Sequence, residues 1–350
     1  MTVDEKIMLG CIALAKRGAG YVSPNPLVGC IIIKDDAIIG EGWHKKYGEP
    51  HAEANAIEDA KKKGFSVEGA KLYVNLEPCS HTGKRPPCAD LIIKEKISEV
   101  YIGMQDPYKE VNGLGIKKLK DTGIKVTIGI LEDECKELNK FFIKYVTENR
   151  PYVTLKIAQS IDGVIALHNN KSKYITNKAS RKIVHQLRSE YDAVLIGKNT
   201  AKCDDPDLTV REIEGRHPYR IVIDSNLKLP KDLKLFSDEN HSKTFIVSNE
   251  KDKSRNVIHI KNKITVKKIL KNLYEQKINS VLVEGGAHIF SQFLEEDLFD
   301  DAYFFIAPKI LGSGLQAFNG FRIKNLDKAK DLKFEYQKNL DNDILLYYKK

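Results

Sequence analysis

No apolar run in the chain approaches the ~20 residues that a membrane-spanning helix needs, so no membrane segment is expected. The opening MTVDEKIMLG is acidic and amphipathic, unlike the basic and then apolar start of a secretory leader. Six cysteines, at 11, 30, 79, 88, 135 and 203, lack the spacing of a disulfide framework. They read as thiols in a reducing cytoplasm. No GxGxxG occurs, which argues against a Rossmann dinucleotide site. The two halves do not repeat each other, and no segment is of low complexity. The net charge is +9, yet no RNA-binding motif or basic stripe with interleaved aromatics goes with it. The surplus lysine, as in KKKG at 61–64 and KDKSRN at 251–256, is read as solvated surface. Part of it suits phosphorylated small molecules, and no nucleic-acid partner is expected.

A chain of 350 residues, 42% hydrophobic, is long enough for about two domains with separate cores. Seven of its twelve prolines fall between Pro24 and Pro107, in PNP, EPHAE, EPCS, RPPC and DP. They stiffen the loops around one stretch, His51 to Cys88.

That stretch opens with His51-Ala52-Glu53 and closes with Pro78-Cys79, eight residues, then Cys88. One imidazole and two thiolates are a three-ligand set for a catalytic zinc ion, one per chain, with the fourth position left to water. Glu53, two residues from the first ligand, is placed to handle protons. His-x-Glu…Pro-Cys…Cys is the pattern of zinc-dependent base deaminases, although their generic signature has two residues between the cysteines. HAEANAIEDAKKKG and CADLIIKEKI read as helices, so His51 and Cys88 sit at helix N-termini, where free amides favour thiolate. Cys79 follows the strand-like KLYVNLEP. A closed structural site needs a fourth ligand, and His44 or His81 can supply it.

Taken in order, Thr2-Val3-Asp4-Glu5 is a capping box for a helix running to about Arg17. Two β-rich runs flank Lys34-Asp35-Asp36, a hairpin signal. Strands are expected at 71–76, 99–104 and 125–130, and one helix from about Glu132 to Thr147. The first half is thus an α/β sandwich on a mixed five-strand sheet. Pro151 sets a boundary between domains at 1–148 and 149–350, because a helix does not run comfortably into proline. Alternating strands and helices then resume: YVTLKIAQ, a helix near 178–189, AVLIG, YRIVID, TFIVS, a helix near 266–276, SVLVEG, a helix from Ala287 to about Leu298, AYFFIAP and DILLYY.

In the second half, VLVEGGAHIF is strand, two glycines and a helix start, a phosphate cradle or a structural turn. Asp204-Asp205-Pro206 is loop-like. Lys156, Asp162, Arg188 and Arg211 offer charges for a phosphorylated substrate or for surface ion pairs.

PNPLVGCIII, GWHKKYGEPHAE, LEPCSHTGKRPPC and DPYKEVNGLGI together resemble the deaminase half of the bifunctional riboflavin-biosynthesis proteins, where eight residues between the cysteines are typical. TLKIAQSIDG, ITNKASRKIVHQLRSEYDAVLIGKNT, CDDPDLTVR, RIVIDS, VEGGAHI and IAPKILGSG resemble the reductase half, in the same order. The resemblance covers essentially the whole chain. It implies a cytidine-deaminase-like three-layer sandwich, then a dihydrofolate-reductase-like α/β domain that uses NADPH without a Rossmann fingerprint. It further implies a cytoplasmic homo-oligomer. The implied first step is hydrolytic deamination of 2,5-diamino-6-ribosylamino-4(3H)-pyrimidinone 5′-phosphate. Asn25, His44, His81, Lys84, Asp106 and Asn112 would hold that substrate, and Glu53 would move its protons. The implied second step reduces the ribosyl group, opened to an imine or carbonyl form, to ribityl. Lys156, Ser172, Arg188, Leu208 (through its backbone), Arg211 and Glu284 would face that substrate. Arg211 and Arg188 would grip its phosphate, unless they pair with acids such as Glu190 or Glu212. Ala158, Tyr174, Thr200, Asp204, Ser225 and the run Gly286, Ala287, His288, Ile289, Phe290, Ser291 and Gln292 would contact NADPH. Tyr174 stands where many relatives carry tryptophan and keeps an aromatic face. Two other readings are a tRNA or nucleoside deaminase with an appended nucleotide-binding domain, and a zinc-stapled protein that binds a nucleotide without turnover.

Overall fold

A computed structural model describes residues 1–80 and 86–350. The chain divides into two units, Met1–Asn149 and Arg150–Lys350.

In the first unit, helix α1 (Val3–Lys16) begins with the expected capping box. Thr2 Oγ1 accepts from the Glu5 amide at 3.2 Å, and Glu5 Oε2 accepts from the Thr2 amide at 2.7 Å. Strands β1 (Gly29–Lys34) and β2 (Ala37–Trp43) pair as a hairpin. Its two turn residues, Asp35 and Asp36, both have positive φ, 48° and 59°, as the common hairpin turn requires. Strands β3 (Lys71–Leu76), β4 (Glu99–Met104) and β5 (Lys125–Ile128) complete a mixed sheet of order β2-β1-β3-β4-β5. It is antiparallel through β2, β1 and β3 and parallel from β3 to β5.

Helix α2 (Ala52–Lys62) lies on β2 because glycines face alanines. A Cβ at Gly40 would meet the Ala56 carbonyl at 2.4 Å, and one at Gly42 would meet the Ala52 carbonyl at 2.5 Å. Ala52, Ala56 and Ala60, four residues apart on one face, are all fully buried. This close approach brings the start of α2, with His51 and Glu53, down to the sheet. Helices α3 (Cys88–Lys94) and α4 (Leu114–Asp121) follow β3 and β4.

The single helix expected from Glu132 to Thr147 is instead two, α5 (Glu132–Leu138) and α6 (Lys140–Glu148), broken at Asn139. The break frees the buried Asn139 amide to grip Leu27: its Oδ1 accepts from the Leu27 N–H at 2.8 Å, and its Nδ2 donates to the Leu27 carbonyl at 3.0 Å. Asn75 holds the same loop, donating to the Leu27 carbonyl and accepting from the Gly29 amide. A long-range bond to a loop outweighs helical continuity at this position.

The second unit is built on a nine-stranded sheet of order β11-β10-β9-β8-β12-β6-β13-β16-β15. The strands are β6 (Tyr152–Ser160), β8 (Ala193–Gly197), β9 (Tyr219–Ile223), β10 (Thr244–Ser248), β11 (Val257–His259), β12 (Ser280–Gly285), β13 (Asp301–Ala307), β15 (Lys333–Leu340) and β16 (Asp343–Lys349). Pairing is parallel from β11 to β13 and antiparallel through β16 and β15. A small ribbon pairs β7 (Val164–Ala166) with β14 (Leu315–Gln316). Helices α7 (Lys178–Glu190), α10 (Val266–Glu275) and α11 (Ala287–Glu295) match the expected periodic segments, while α8 (Lys198–Asp204) and α9 (Lys234–Ser237) are additions. Because β8, β9 and β12 run parallel, with Gly197 opposite Ile223 and Ile196 opposite Gly285, their C-terminal ends open at one edge. That is where ligands bind in open α/β sheets.

Candidate active sites

His51 is the N-cap of α2 and Cys88 the first residue of α3, both with extended backbone leading in. Cys79 comes three residues after β3. The chain end of one strand and two helix starts therefore meet, as the sequence pattern requires. His51 Nδ1 lies 3.6 Å from Cys79 Sγ and 3.3 Å from Cys88 Sγ, and the Cys88 amide donates to Cys79 Sγ at 3.3 Å. All three ligand atoms fall within 4.8 Å of one another. Ligands ~2.0–2.3 Å from a tetrahedral zinc ion stand roughly 3.3–3.8 Å apart, so the donor set fits the ion. No other such cluster of histidine, cysteine and carboxylate occurs among the described residues.

The electrostatics suit a cation. The hydrogen bond from the Cys88 thiol holds the Cys79 thiol down to about 4, against burial and with His51 assisting. Cys88 is pushed up by that same bond, by burial and by the Glu53 charge. A divalent ion would take the place of the thiol proton, since metal-binding cysteines bind as thiolates. Glu53 is 3% exposed. Burial raises its pKa above the usual carboxylate range, opposed by His51 and reinforced by the Cys79 charge.

His44 is not a fourth ligand. Its Nδ1 donates to the Pro50 carbonyl at 3.1 Å, which leaves Nε2 to accept from Asn25 Nδ2 at 3.1 Å. Burial lowers its pKa and keeps the ring neutral. It stands edge-on to the His51 ring, centroids 5.4 Å apart, and ties Asn25 to the segment before α2. His81 and Lys84 lie outside the described residues.

Asp106 is buried just past β4 and accepts from the Tyr108 amide at 2.8 Å. Burial lifts its pKa to about 7, opposed by that N–H and assisted by the charges of Glu77 and Cys79. Asn112 is exposed and accepts from Gln105 Nε2 at 2.6 Å. The residue that organises this loop is Glu77, which the sequence reading passed over. Its Oε2 accepts from the amides of Asp106 and Gly113, and its Oε1 from those of Gly115 and Ile116, all between 2.9 and 3.2 Å. An acid two residues before a ligand cysteine was the available signal.

In the second unit a cavity of about 1030 Å³ opens at the C-terminal ends of β8, β9 and β12. That is large for a small-molecule site and gives room for a dinucleotide beside a substrate. Lys156, Ala158, Ser172, Tyr174, Arg188, Thr200, Asp204, Leu208, Arg211, Ser225 and Glu284 all line it, as do Gly286 to Phe290 and Gln292. Ser291 does not: it is buried, and its hydroxyl donates to the carbonyls of Ala287 and Asn319. On a helix whose neighbours face the cavity, it points into the core.

Gly286, with φ of +74°, turns the chain into α11, and a Cβ there would stand 3.1 Å from Thr200 Oγ1. No side chain caps α11, so its first amides are presented as an anion cradle. Ser172 Oγ donates to Asp204 Oδ1 at 2.8 Å, joining a residue expected on the substrate side to one expected on the cofactor side. Arg181 stacks over the exposed Tyr174 ring at 4.5 Å.

Glu284 receives Arg188 in a fork, Nε at 2.5 Å and Nη2 at 2.8 Å, with Lys156 Nζ at 3.3 Å. Arg188 Nη1 also donates to the Thr209 carbonyl. Neither Glu190 nor Glu212 is the partner of Arg188, and its guanidinium edge is committed to protein. Arg211 is half-exposed at 52%, bonded to Asp207 and Thr209, and open to the cavity.

A family model for the cytidine and deoxycytidylate deaminase zinc-binding region matches residues 1–104, and one for the RibD C-terminal domain matches residues 151–346. The chain is 40% identical to riboflavin biosynthesis protein RibD of Aquifex aeolicus, covering 99% of both chains. It is 35% identical to that of Escherichia coli, covering 98% of both. The solved diaminohydroxyphosphoribosylaminopyrimidine deaminase/5-amino-6-(5-phosphoribosylamino)uracil reductase of Thermotoga maritima superposes with a TM-score of 0.92 at 41% identity, over 99% of this chain and 98% of that one. RibD of Acinetobacter baumannii gives 0.91 at 35%, over the same shares. With a zinc-ligand cluster in one unit and a dinucleotide-sized cavity in the other, the chain belongs to the RibD family of riboflavin-biosynthesis proteins, which join a zinc-dependent deaminase to an NADPH-dependent reductase.

Proposed function

We propose that residues 1–148 deaminate 2,5-diamino-6-ribosylamino-4(3H)-pyrimidinone 5′-phosphate and that residues 149–350 reduce the product, 5-amino-6-(5-phosphoribosylamino)uracil, to its ribityl form. The observation that carries this reading is the convergence of His51, Cys79 and Cys88 beside a buried Glu53. The Thermotoga relative, matched over 98% of its own chain, carries both activities in its name.

His51, Cys79 and Cys88 would hold the zinc ion, which would supply Lewis acidity that lowers the pKa of water to ~7. The Glu53 carboxylate carries one proton from the attacking water to the ring nitrogen, and then the remaining hydroxyl proton to the exocyclic amino group, which leaves as ammonia as the C2 carbonyl forms. Its burial suits this work, because a raised pKa brings a carboxyl group toward the operating pH. Asn25, held by His44, and the Glu77-pinned loop with Asp106 and Asn112 border the base and ribosyl phosphate. His81 and Lys84 are assigned to the same substrate.

In the reductase unit, NADPH would supply the hydride that reduces C1′ of the opened sugar. Ala158, Tyr174, Thr200, Asp204, Ser225 and the turn from Gly286 into α11 hold the dinucleotide. Lys156, Ser172, Leu208 and Glu284 face the sugar. Arg188 braces Glu284, and Arg211 takes the phosphate. The substrates are small phosphorylated pyrimidines rather than nucleic acid, the lack of a disulfide among the six cysteines suits a cytoplasmic enzyme, and the chain acts as a homo-oligomer.

The test uses the full chain. Dialysis against a chelator stops ammonia release from the diaminopyrimidinone and leaves NADPH oxidation with the deaminated substrate. Cys79→Ser, a ligand loss, does the same without chelator. Full zinc content in both Cys79→Ser and Cys88→Ser overturns the ligand set.

Arg211→Ala separates phosphate binding from other roles. A charged hydrogen bond contributes about 1.5–3 kcal/mol, so KM for the phosphorylated substrate rises roughly 10–100-fold, while the dephosphorylated analogue loses nothing. Equal losses on both would remove Arg211 as the phosphate anchor.

A further inference from the structure

The stretch from Asp207 to Arg211 is neither helix nor strand, yet Leu208, Thr209 and Val210 are buried. Buried backbone outside regular structure must find hydrogen bonds elsewhere. Here side chains from outside the stretch supply them, one group at a time. Arg220 Nη1 donates to the Asp207 carbonyl at 3.0 Å, and Arg188 Nη1 to the Thr209 carbonyl at 3.2 Å. The Val210 amide donates to His217 Nδ1, and the Arg211 amide to His185 Nδ1, both at 3.2 Å. Cations thus hold the carbonyls and imidazoles hold the amides. Leu208 is locked at a φ of +52° between them.

Only an unprotonated Nδ1 accepts an amide proton, so the His185 ring must carry its proton on Nε2. Burial, followed by the charges of Arg188 and Arg211, pushes its pKa down to about 4 against Glu284 and Glu212, and the ring is neutral at working pH. His185 lies on α7 one turn before Arg188 and lines the cavity. One helix face therefore grips Glu284 with one residue and the Arg211 amide with another.

We propose that His185 is a positioning residue of the reductase, which fixes the backbone at Arg211 and so aims the Arg211 guanidinium and the Leu208 backbone into the cavity. The proposal rests on the reading of Arg211 as the phosphate anchor. Without His185, a buried amide loses its acceptor and the turn relaxes.

The full chain is assayed for both activities, with ammonia release as the control on the same polypeptide. His185→Leu is expected to raise KM for the phosphorylated substrate about 5–50-fold, with kcat and the KM for NADPH within twofold and deamination unchanged. His185→Asn, whose Oδ1 takes the place of Nδ1, restores most of the loss. His185→Gln, whose acceptor reaches the Nε2 position instead, does not, and this pair decides the matter if the leucine variant is insoluble. Because His185 acts through Arg211, His185→Leu adds little to Arg211→Ala. An unchanged KM in His185→Leu, Asn and Gln variants that behave alike, or additive losses in the double variant, would overturn the proposal. A loss spread over kcat and NADPH binding with no recovery by asparagine overturns it too, as the sign of a merely structural role. A silent Arg211→Ala removes the phosphate reading and this inference with it, whereas an impaired Arg211→Ala beside a normal His185→Leu removes this inference alone.

Discussion

Glu53→Gln is expected to lower ammonia release by ~10²–10⁴-fold, the usual worth of a proton-transfer group, and by more where one group serves several transfers. Zinc content and NADPH oxidation with deaminated substrate should stay at wild-type levels. The substitution keeps the shape of a side chain that is 3% exposed and removes only its ability to take and return a proton. Glutamine also leaves no buried carboxylate to be desolvated. Since burial is the largest cause of the raised Glu53 pKa, the variant should be at least as resistant to unfolding as the parent. A loss of activity with intact stability, intact zinc and an intact second activity isolates the chemical step. Metal analysis, ammonia release and NADPH absorbance on one preparation read all of these. Near wild-type deamination would exclude Glu53 as the proton carrier.

What the sequence made legible was whatever depends on residues close together in the chain. The capping box at Thr2, the Asp35-Asp36 hairpin and the placement of His51 and Cys88 at helix starts are local, and the structure has each of them. The zinc cluster was readable because its chemistry restricts the ligand types so tightly. What stayed hidden depends on partners far along the chain. Asn139 breaks a helix for the sake of Leu27, 112 residues away. Glu77 reads as part of a cysteine motif until four amides from 106–116 are seen around it. Arg188 was expected to face the substrate phosphate, and its pairing with Glu284, 96 residues on, was not readable from the sequence. Ser291 fell inside a contiguous run of cofactor residues, and only the helix rotation shows it facing inward. Strand β15 was missed for a different reason: it is largely exposed and charged, so the alternation that marks a half-buried strand is absent.

The Glu284 cluster gives the second large effect. Glu284 is nearly buried, with Arg188 and Lys156 both within 3.3 Å. Burial alone would raise its pKa, but Arg188 first and Lys156 second outweigh it and hold the carboxyl down to about 2. The ordinary value is 4.5, so the unfolded chain binds more protons than the folded one between these two pH values, and stability rises with pH across that window. The carboxylate's contribution is therefore fully present above about pH 4.5 and lost as pH falls toward 2. A shift of this size corresponds to on the order of 3 kcal/mol. Glu284→Gln keeps the volume and deletes the charge, leaving two buried cations uncompensated, which costs about 3–5 kcal/mol. The expected result is a second unit destabilised by that amount at pH 7, with the gap to wild type closing as pH falls from 4.5 toward 2, where glutamate becomes protonated and resembles glutamine. The chain offers a clean readout. Its one tryptophan, Trp43, lies in the first unit, so the urea transition seen by circular dichroism but not by tryptophan fluorescence belongs to the second. Equal stability at pH 7, or a gap that does not change with pH, would mean that Arg188 and Lys156 find other counter-charges and that Glu284 is not what holds them in the cavity wall.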